Sequence, residues 1–419
     1  MHLCLFEDNL VANFHPLVYF RPVYALRCGM LTLQQKILAH VPSAHVALHA
    51  RAYLKNYLGE LHPDSSVNEI AADRCLFMNG RLLADSDVAK QVTTKGDEDR
   101  VFVNGDIPVA AWVSGNRLEY LKRKMAEGTF GIGDFDGLPR REIGARLVQY
   151  PWDLLSANAQ EIFSDIMITT KRSKQKIQGK IHPGAHLINR KGIFVGKRSS
   201  IKPGAVLDAE HGPIYIGDDV HVYANAVIEG PAFIGSGSIV KIGAKIYGKT
   251  SIGEFCKVGG EIEGSILHAH ANKQHDGFLG HSYICPWVNL GADTNNSDLK
   301  NNYSSVRVSI NGELVDSGQL FVGMFMGDHS KSGINSMFDT GTVVGVSCNI
   351  YGAGIPPKFV PSFSWGGSER LVEYRLSKSM EVARKVMERR NVRFTPAYES
   401  AFRAVFALTV GERERSGVH

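Results

Sequence analysis

The chain has 419 residues, too many for one compact core, so two domains or a domain joined to a repeat array is the starting expectation. Its 44% hydrophobic and 21% charged residues are those of a globular protein. A formal charge of +5, without a Lys/Arg block or an RNA-binding aromatic motif, suits a small anionic substrate and argues against a nucleic-acid partner. The six cysteines form no CxxC pair, no apolar run reaches ~18 residues, and the N-terminus lacks a basic segment followed by an apolar one. These features point away from zinc knuckles, disulfide frameworks and membrane spans, and toward a cytoplasmic protein.

The first third of the chain alternates strand and helix patterns. "LCLF" reads as a short buried strand, "LTLQQKILAHV" as a helix, and "RCLFMNG" and "RVFVNGDIPVAAWV" as strands. "NRLEYLKRKMAEG" and "YPWDLLSANAQEIFSDIMITTKR" read as helices, so residues 1–175 are expected to form an α/β domain. Within it, the Asn104-Gly105 pair between alternating apolar residues is a hairpin signal. The basic run Lys171, Arg172, Lys174 and Lys176 reads as a solvated linker.

From there the period changes. Ile216, Val222, Ile228, Ile234, Val240, Ile246, Ile252 and Val258 recur every sixth residue, with Val195, Ile201 and Leu207 before them and Ile284 and Leu290 after. Val322, Ile334 and Val346 carry a weaker echo. Six residues fit one short strand and one tight turn, and three such hexads close a triangular coil whose apolar interior is buried only by stacking. Residues 176–365 are therefore expected to form a parallel β-helix. A helical cap is expected over 366–419, with Ser368 as the N-cap of the first helix and a proline start for the second.

Beyond Val258 the register is lost, and the irregular stretch reads as a loop thrown out of the helix. It carries His268, His270, Lys273, His275, His281, Asn289, Asn302 and Tyr303. Four histidines invite a metal reading, but no carboxylate or cysteine joins them at zinc-ligand spacing. His281 lies between glycines in "GHSY", and imidazole accepts a proton near neutral pH, so it is the candidate general base.

"GHSY", then "WVNLGADT", then "NNY" resembles the acetyltransferase half of the bifunctional family that acetylates glucosamine 1-phosphate and then uridylylates it. The resemblance implies a left-handed β-helix, acetyl-CoA as co-substrate, and a homotrimer with active sites between neighbouring subunits. It makes His281 the base, with Tyr283, Asn289, Asn302 and Tyr303 as substrate contacts. Tyr283 lies one residue closer to the histidine than in that family, and the Asn-Tyr pair lies farther downstream. Lys273 is the candidate holder of a sugar phosphate.

The N-terminal half resembles the nucleotidyltransferase half of the same family more distantly. "PLVYFRP" echoes its "PLT…PK", with Arg21 where a lysine would stand, but the glycine loop that cradles phosphates is missing. "RPVYALRCGMLTLQQK" resembles a variant bacterial branch of such two-domain proteins. Arg21 and Arg27 are the candidates to bind a nucleoside triphosphate in place of the loop. Two strand ends compete for the rest of that site. "VNGDIPV" mimics a GDxPL strand end whose aspartate, here Asp106, would hold Mg²⁺, although the hairpin reading is preferred. "FMNGRLLAD" offers Asn79 and Arg81. The expected function is amino-sugar 1-phosphate N-acetylation with sugar-1-phosphate nucleotidyl transfer, or descent from it. The rival reading is a non-catalytic sugar-nucleotide-binding scaffold or sensor. A hexapeptide carbonic anhydrase would need zinc histidines spread over several coils, and the clustered ones here do not fit.

Overall fold

The computed structural model describes residues 1–42, 45–93, 98–170 and 176–419. Lys171, Arg172 and Lys174 of the basic run lie outside these residues; Lys176 lies inside, its ammonium donating to Lys191 O at 2.6 Å.

The first domain is built on a seven-stranded sheet of β1 (His2–Phe6), β2 (His45–Leu48), β3 (Ser66–Val67), β4 (Arg74–Asn79), β5 (Arg100–Asn104), β6 (Ile107–Ser114) and β7 (Arg140–Glu142). Its order is β3-β2-β1-β4-β6-β5-β7. The four strands β3, β2, β1 and β4 run parallel, and β6 enters antiparallel to β4. β5 and β6 form the hairpin expected from Asn104-Gly105, with Gly105 at φ 60°, where the tight turn calls for a residue lacking Cβ. The helices are α1 (Leu33–His40), α2 (Lys55–Leu61), α3 (Ser86–Thr93), α4 (Gly115–Lys124) and α5 (Pro151–Thr170). α1 starts in a capping box, where Thr32 accepts from Gln35 N and Gln35 accepts from Thr32 N.

The second domain is a left-handed parallel β-helix with three faces. The first face begins at Lys180–Ile181, the second at His186–Ile188 and the third at Ile193–Val195. The eight sixth-residue aliphatics from Ile216 to Val258 fill the prism, each no more than 1% exposed. The repeat does not stop after Val258. The next inward positions are Ile262, Leu267, Lys273, Leu279, Ile284 and Leu290, paired in register with the coil below. Some of these steps are shorter than six, because coils can lose a corner residue while their strands stay aligned, and that hides the period. The chain leaves the helix only after Asn295–Asn296 and returns at Phe325–Met326, with the hairpin Arg307–Ile310/Glu313–Asp316 in between. His281 is therefore on a coil corner and not in an extruded loop.

The late echo is corrected too. Met326, Ser332, Phe338, Val344 and Ile350 are the inward positions, while Ile334 is 71% exposed. Val322 and Val346 are buried, but outside the prism core. At the C-terminal end Ser368 caps no helix. Leu371–Glu373 instead folds back antiparallel on Ser364–Gly366, which brings Leu371 against the prism core. The cap then continues as α6 (Leu376–Glu388), α7 (Pro396–Leu408) and α8 (Val410–Arg415). Thr395 is the N-cap of α7, accepting from Tyr398 N, with Pro396 at the first turn.

The domains share a core along the third face. Phe194, Tyr215 and Phe233 meet Met30, Ile162 and Ile166. Ile266, Tyr283, Phe325 and Val343 pack into the interior of the first domain. Lys36 of α1 is buried between Glu161 and Asp165 of α5, at 2.8 and 2.5 Å, and Asp165 accepts from Met30 N and Leu31 N. This network ties α5 to α1, and Asn158 of α5 reaches the coils, its Nδ2 donating to Lys249 O at 2.8 Å and its Oδ1 accepting from Ser251 Oγ at 3.0 Å.

Candidate active site

His281 occupies the corner between the second and third faces, in the left-handed region at φ 43°. Its N–H donates to Glu263 O on the coil below, and its C=O accepts from Gly323 N where the excursion rejoins the helix. Asp298, just past the point where the excursion leaves, faces the imidazole with Oδ2 2.8 Å from Nδ1. A carboxylate only accepts, so Nδ1 carries a proton, and in the neutral ring Nε2 keeps its lone pair. The imidazole is 22% and the carboxylate 13% exposed, open enough for a ligand and sheltered enough to hold one geometry. Phe321 packs at a ring-centroid distance of 5.2 Å. Gly264 makes room on the other side, since a Cβ there would stand 2.8 Å from His281 Nε2.

The other expected substrate contacts are dispersed. Asn302 and Tyr303 lie on the excursion; Asn302 Oδ1 accepts from Ser304 N and Oγ, and Tyr303 is 71% exposed. Tyr283 is buried in the domain seam, its hydroxyl accepting from Arg27 N at 2.9 Å. Asn289 is on the first face, its Oδ1 accepting from Asn272 Nδ2 at 3.2 Å. Lys273 points into the prism in register with Val258, and its ammonium donates to His275 O and Asp276 O. Burial brings its pKa down to about 8. Within one chain, then, His281 is not joined by Lys273, Tyr283 or Asn289.

In the first domain the carboxyl ends of β1 and β4 are where a parallel sheet ordinarily binds ligands. Glu7 and Asp8 follow β1, and Asn79 ends β4. Asp8 accepts from Arg81 Nε and Asn79 Nδ2, each at 2.8 Å, and Arg81 is fully buried. Glu7 accepts from Arg51 Nε at 3.1 Å and Val23 N at 2.8 Å. Residues 9–27 run from these strand ends to the β-helix. There Arg21 pairs with Asp328 and Arg27 Nη2 lies 2.6 Å from Glu254 Oε2. The four nucleotide-binding candidates are thus all held by internal partners. Asp106 is exposed in the turn of the β5–β6 hairpin. Among the described residues no group of three or more His, Cys, Asp or Glu gathers as a metal site. With Asp8 and Glu7 taken up by arginines and Asp106 alone in an exposed turn, this donor set does not fit Mg²⁺.

Residues 3–174 match the sugar nucleotidyl transferase family. The chain is also 30% identical over 238 residues to a bifunctional GlmU protein of Methanococcus aeolicus, covering 56% of this chain and 46% of the relative. It is 29% identical over 160 residues to a GlmU protein of Rippkaea orientalis, covering 38% of this chain and 30% of the relative. A bifunctional sugar-1-phosphate nucleotidylyltransferase/acetyltransferase of Sulfurisphaera tokodaii is 30% identical over 148 residues, 32% of this chain and 37% of the relative. The matches thus span less than half the length of each of these relatives. Among solved structures, a UDP-N-acetylglucosamine acyltransferase overlaps 57% of this chain and 91% of its own, at 17% identity and a TM-score of 0.25. The Francisella novicida enzyme of that name overlaps 53% and 75%, at 12% identity and 0.29.

Three residues at the His281 corner were not anticipated from the sequence: Asp298, Gly264 and Phe321. "NNSDLK" offered a carboxylate, but nothing in its spacing places it over a corner that lies across a coil. Gly264 carried a signal, because it stands where the steps between inward residues shorten.

Proposed function

We propose that the β-helix domain is an acetyl-CoA-dependent N-acetyltransferase acting on an amino-sugar 1-phosphate. His281 Nε2 takes a proton from the sugar amine as the nitrogen adds to the thioester carbonyl. The C–S bond then breaks, and the same imidazole returns the proton to the departing sulfur. Asp298 keeps the proton on Nδ1 and steadies the imidazolium between the two transfers. The observation that carries this reading is the 2.8 Å His281–Asp298 contact at the point where the coil opens. Homotrimerisation supplies a route by which the first-face residue Asn289 of one subunit faces His281 of another. For the first domain we propose sugar-1-phosphate nucleotidyl transfer, or descent from it. Its match to the sugar nucleotidyl transferase family supports this. Triphosphate entry there requires the Asp8–Arg81 and Arg21–Asp328 pairs to open.

The test is acetyl transfer from acetyl-CoA to glucosamine 1-phosphate, followed by thiol release. His281→Ala is expected to lower kcat by about 10²- to 10⁴-fold with unchanged melting. Wild-type turnover in that variant rules out the proposed base. Calorimetry with UTP tests the first domain separately.

A further inference from the structure

The first face of the β-helix carries a group of cations that the acetyl-transfer reading does not use. Lys257 stands outward on its strand, level with Ile239 below and Asn272 above. Lys241 follows Val240 on the coil below, its ammonium 6.0 Å from the Tyr223 ring centroid. Arg389 and Arg390 close α6, and Arg390 is turned onto this face. Its Nη2 donates to Asn272 Oδ1 at 2.8 Å and its Nη1 to Phe255 O at 3.2 Å. Farther up the same column Lys331 donates to His329 O at 2.8 Å.

Among the described residues none of these five cations makes an ion pair with a carboxylate. Arg390, then partial burial, then Lys241 and Arg389 depress the ammonium pKa of Lys257, and no carboxylate offsets them. The nearby Glu254 is paired with Arg27 in the domain seam. A helix C-terminus does favour cations, by roughly 0.3–1 kcal/mol. That accounts for Arg389 and Arg390, but not for two strand lysines brought against them. Gathering like charge at a half-buried position costs stability, and a protein keeps such a cost where an anion offsets it. Beside the cations stand two exposed apolar groups, Ile242 at 70% and the Phe255 ring at 49%.

We propose that this face, centred on Lys257 and Arg390, is a binding site for the phosphate group of a small phosphorylated molecule. Cationic N–H donors on a fixed frame give such a group short charge-assisted hydrogen bonds, and Phe255 and Ile242 give its organic part an apolar rest. The site stands independently of the chemistry assigned to His281.

The test is calorimetry on the full-length protein at low ionic strength, with inorganic pyrophosphate as the first probe. ADP and glucosamine 1-phosphate then distinguish a nucleotide source from a sugar-phosphate one. Pyrophosphate is expected to bind, with affinity at least about 10-fold weaker in Lys257→Gln and lower in 300 mM salt. Lys257→Gln touches no hydrogen-bonded partner and is expected to melt at or slightly above the wild-type temperature. It therefore keeps the test clear if Arg390→Gln, which loses two structural bonds, fails to fold. His281→Ala should bind pyrophosphate like the wild type, so a failure of the acetyl-transfer reading leaves this result intact. Equal binding by wild type and Lys257→Gln overturns the proposal, as does retention of heparin alone with no response to the three small probes.

Discussion

Arg21 and Asp328 lie 307 residues apart and meet as a two-point ion pair inside the domain seam, with Arg21 Nη1 2.9 Å from Asp328 Oδ1. Their side chains are 11% and 1% exposed, and Arg21 Nη1 also donates to Leu17 O. A buried pair is weak evidence of net stabilisation, yet breaking it leaves a charge stranded. Arg21→Met is expected to cost about 3–5 kcal/mol, and Arg21→Met combined with Asp328→Leu to recover most of that loss. Urea denaturation of the three proteins checks this. Equal stability of single variant and wild type would show that the pair is not buried in solution.

Asp298→Asn keeps the shape of the His281 partner but lets an amide donate toward Nδ1, which favours the wrong tautomer. Acetyl transfer is expected to fall by about 10- to 10³-fold in kcat with little change in KM for the sugar, and melting to stay within a few degrees. A pH–rate profile separates this from a structural effect, because a mispositioned imidazole shifts the limb that reports the base. An unchanged profile and rate would remove Asp298 from the mechanism.

Two isoleucines separate the true register from its echo. Ile234→Asp places a lone carboxylate in the dry prism and is expected to abolish cooperative folding or cost several kcal/mol. Ile334→Asp, at a 71% exposed corner, is expected to change stability by less than about 0.5 kcal/mol. Thermal melts of both proteins decide, and similar behaviour of the two would refute the assigned inward positions.

Acid should destabilise the fold through three buried histidines. Burial lowers the pKa of His49 to about 4 and holds those of His268 and His329 well below the ordinary value of 6.5. Each is neutral in the fold, with a neutral partner at one ring nitrogen: Gly128 O, Ala25 O and Tyr398 Oη. As pH falls from 6.5 toward 4 the unfolded chain takes up protons that the fold refuses. Stability should therefore decline by up to about 1.4 kcal/mol per pH unit for each such histidine, and these groups add no slope above 6.5. Denaturation midpoints between pH 4.5 and 7.5 measure it. A flat profile would mean that these rings are solvated.

The hexad run from Ile216 to Val258 announced the β-helix because its spacing is itself the geometry of the coil. The spacing failed where coils shortened near Ile262 and Leu267. Strand pairing tolerates a missing corner residue, but a fixed period does not. The same failure moved the expected excursion onto His281, when the chain in fact leaves after Asn296. Asn104-Gly105 was legible as a hairpin, since two adjacent residues carry the turn. Ser368 misled because the spacing of Leu371 fits a strand as well as a helix, and only contact with the last coil chooses between them. Among the candidate site residues, Lys273 and Tyr283 look functional by type. Their burial depends on which coil they fall on, and a local sequence window does not contain that information.

The strand Leu371–Glu373 has a consequence for assembly. A stack of parallel coils ends in open backbone donors and acceptors that would accept another coil from another molecule and grow into a fibre. Reversing the chain at Gly366-Gly367 lays a strand of opposite polarity along that rim, at Trp365 and Val372. A foreign coil arriving there meets the wrong hydrogen-bond direction. The short antiparallel strand therefore acts as a chain terminator, and its loss should turn a self-contained stack of coils into a seed for end-to-end polymer.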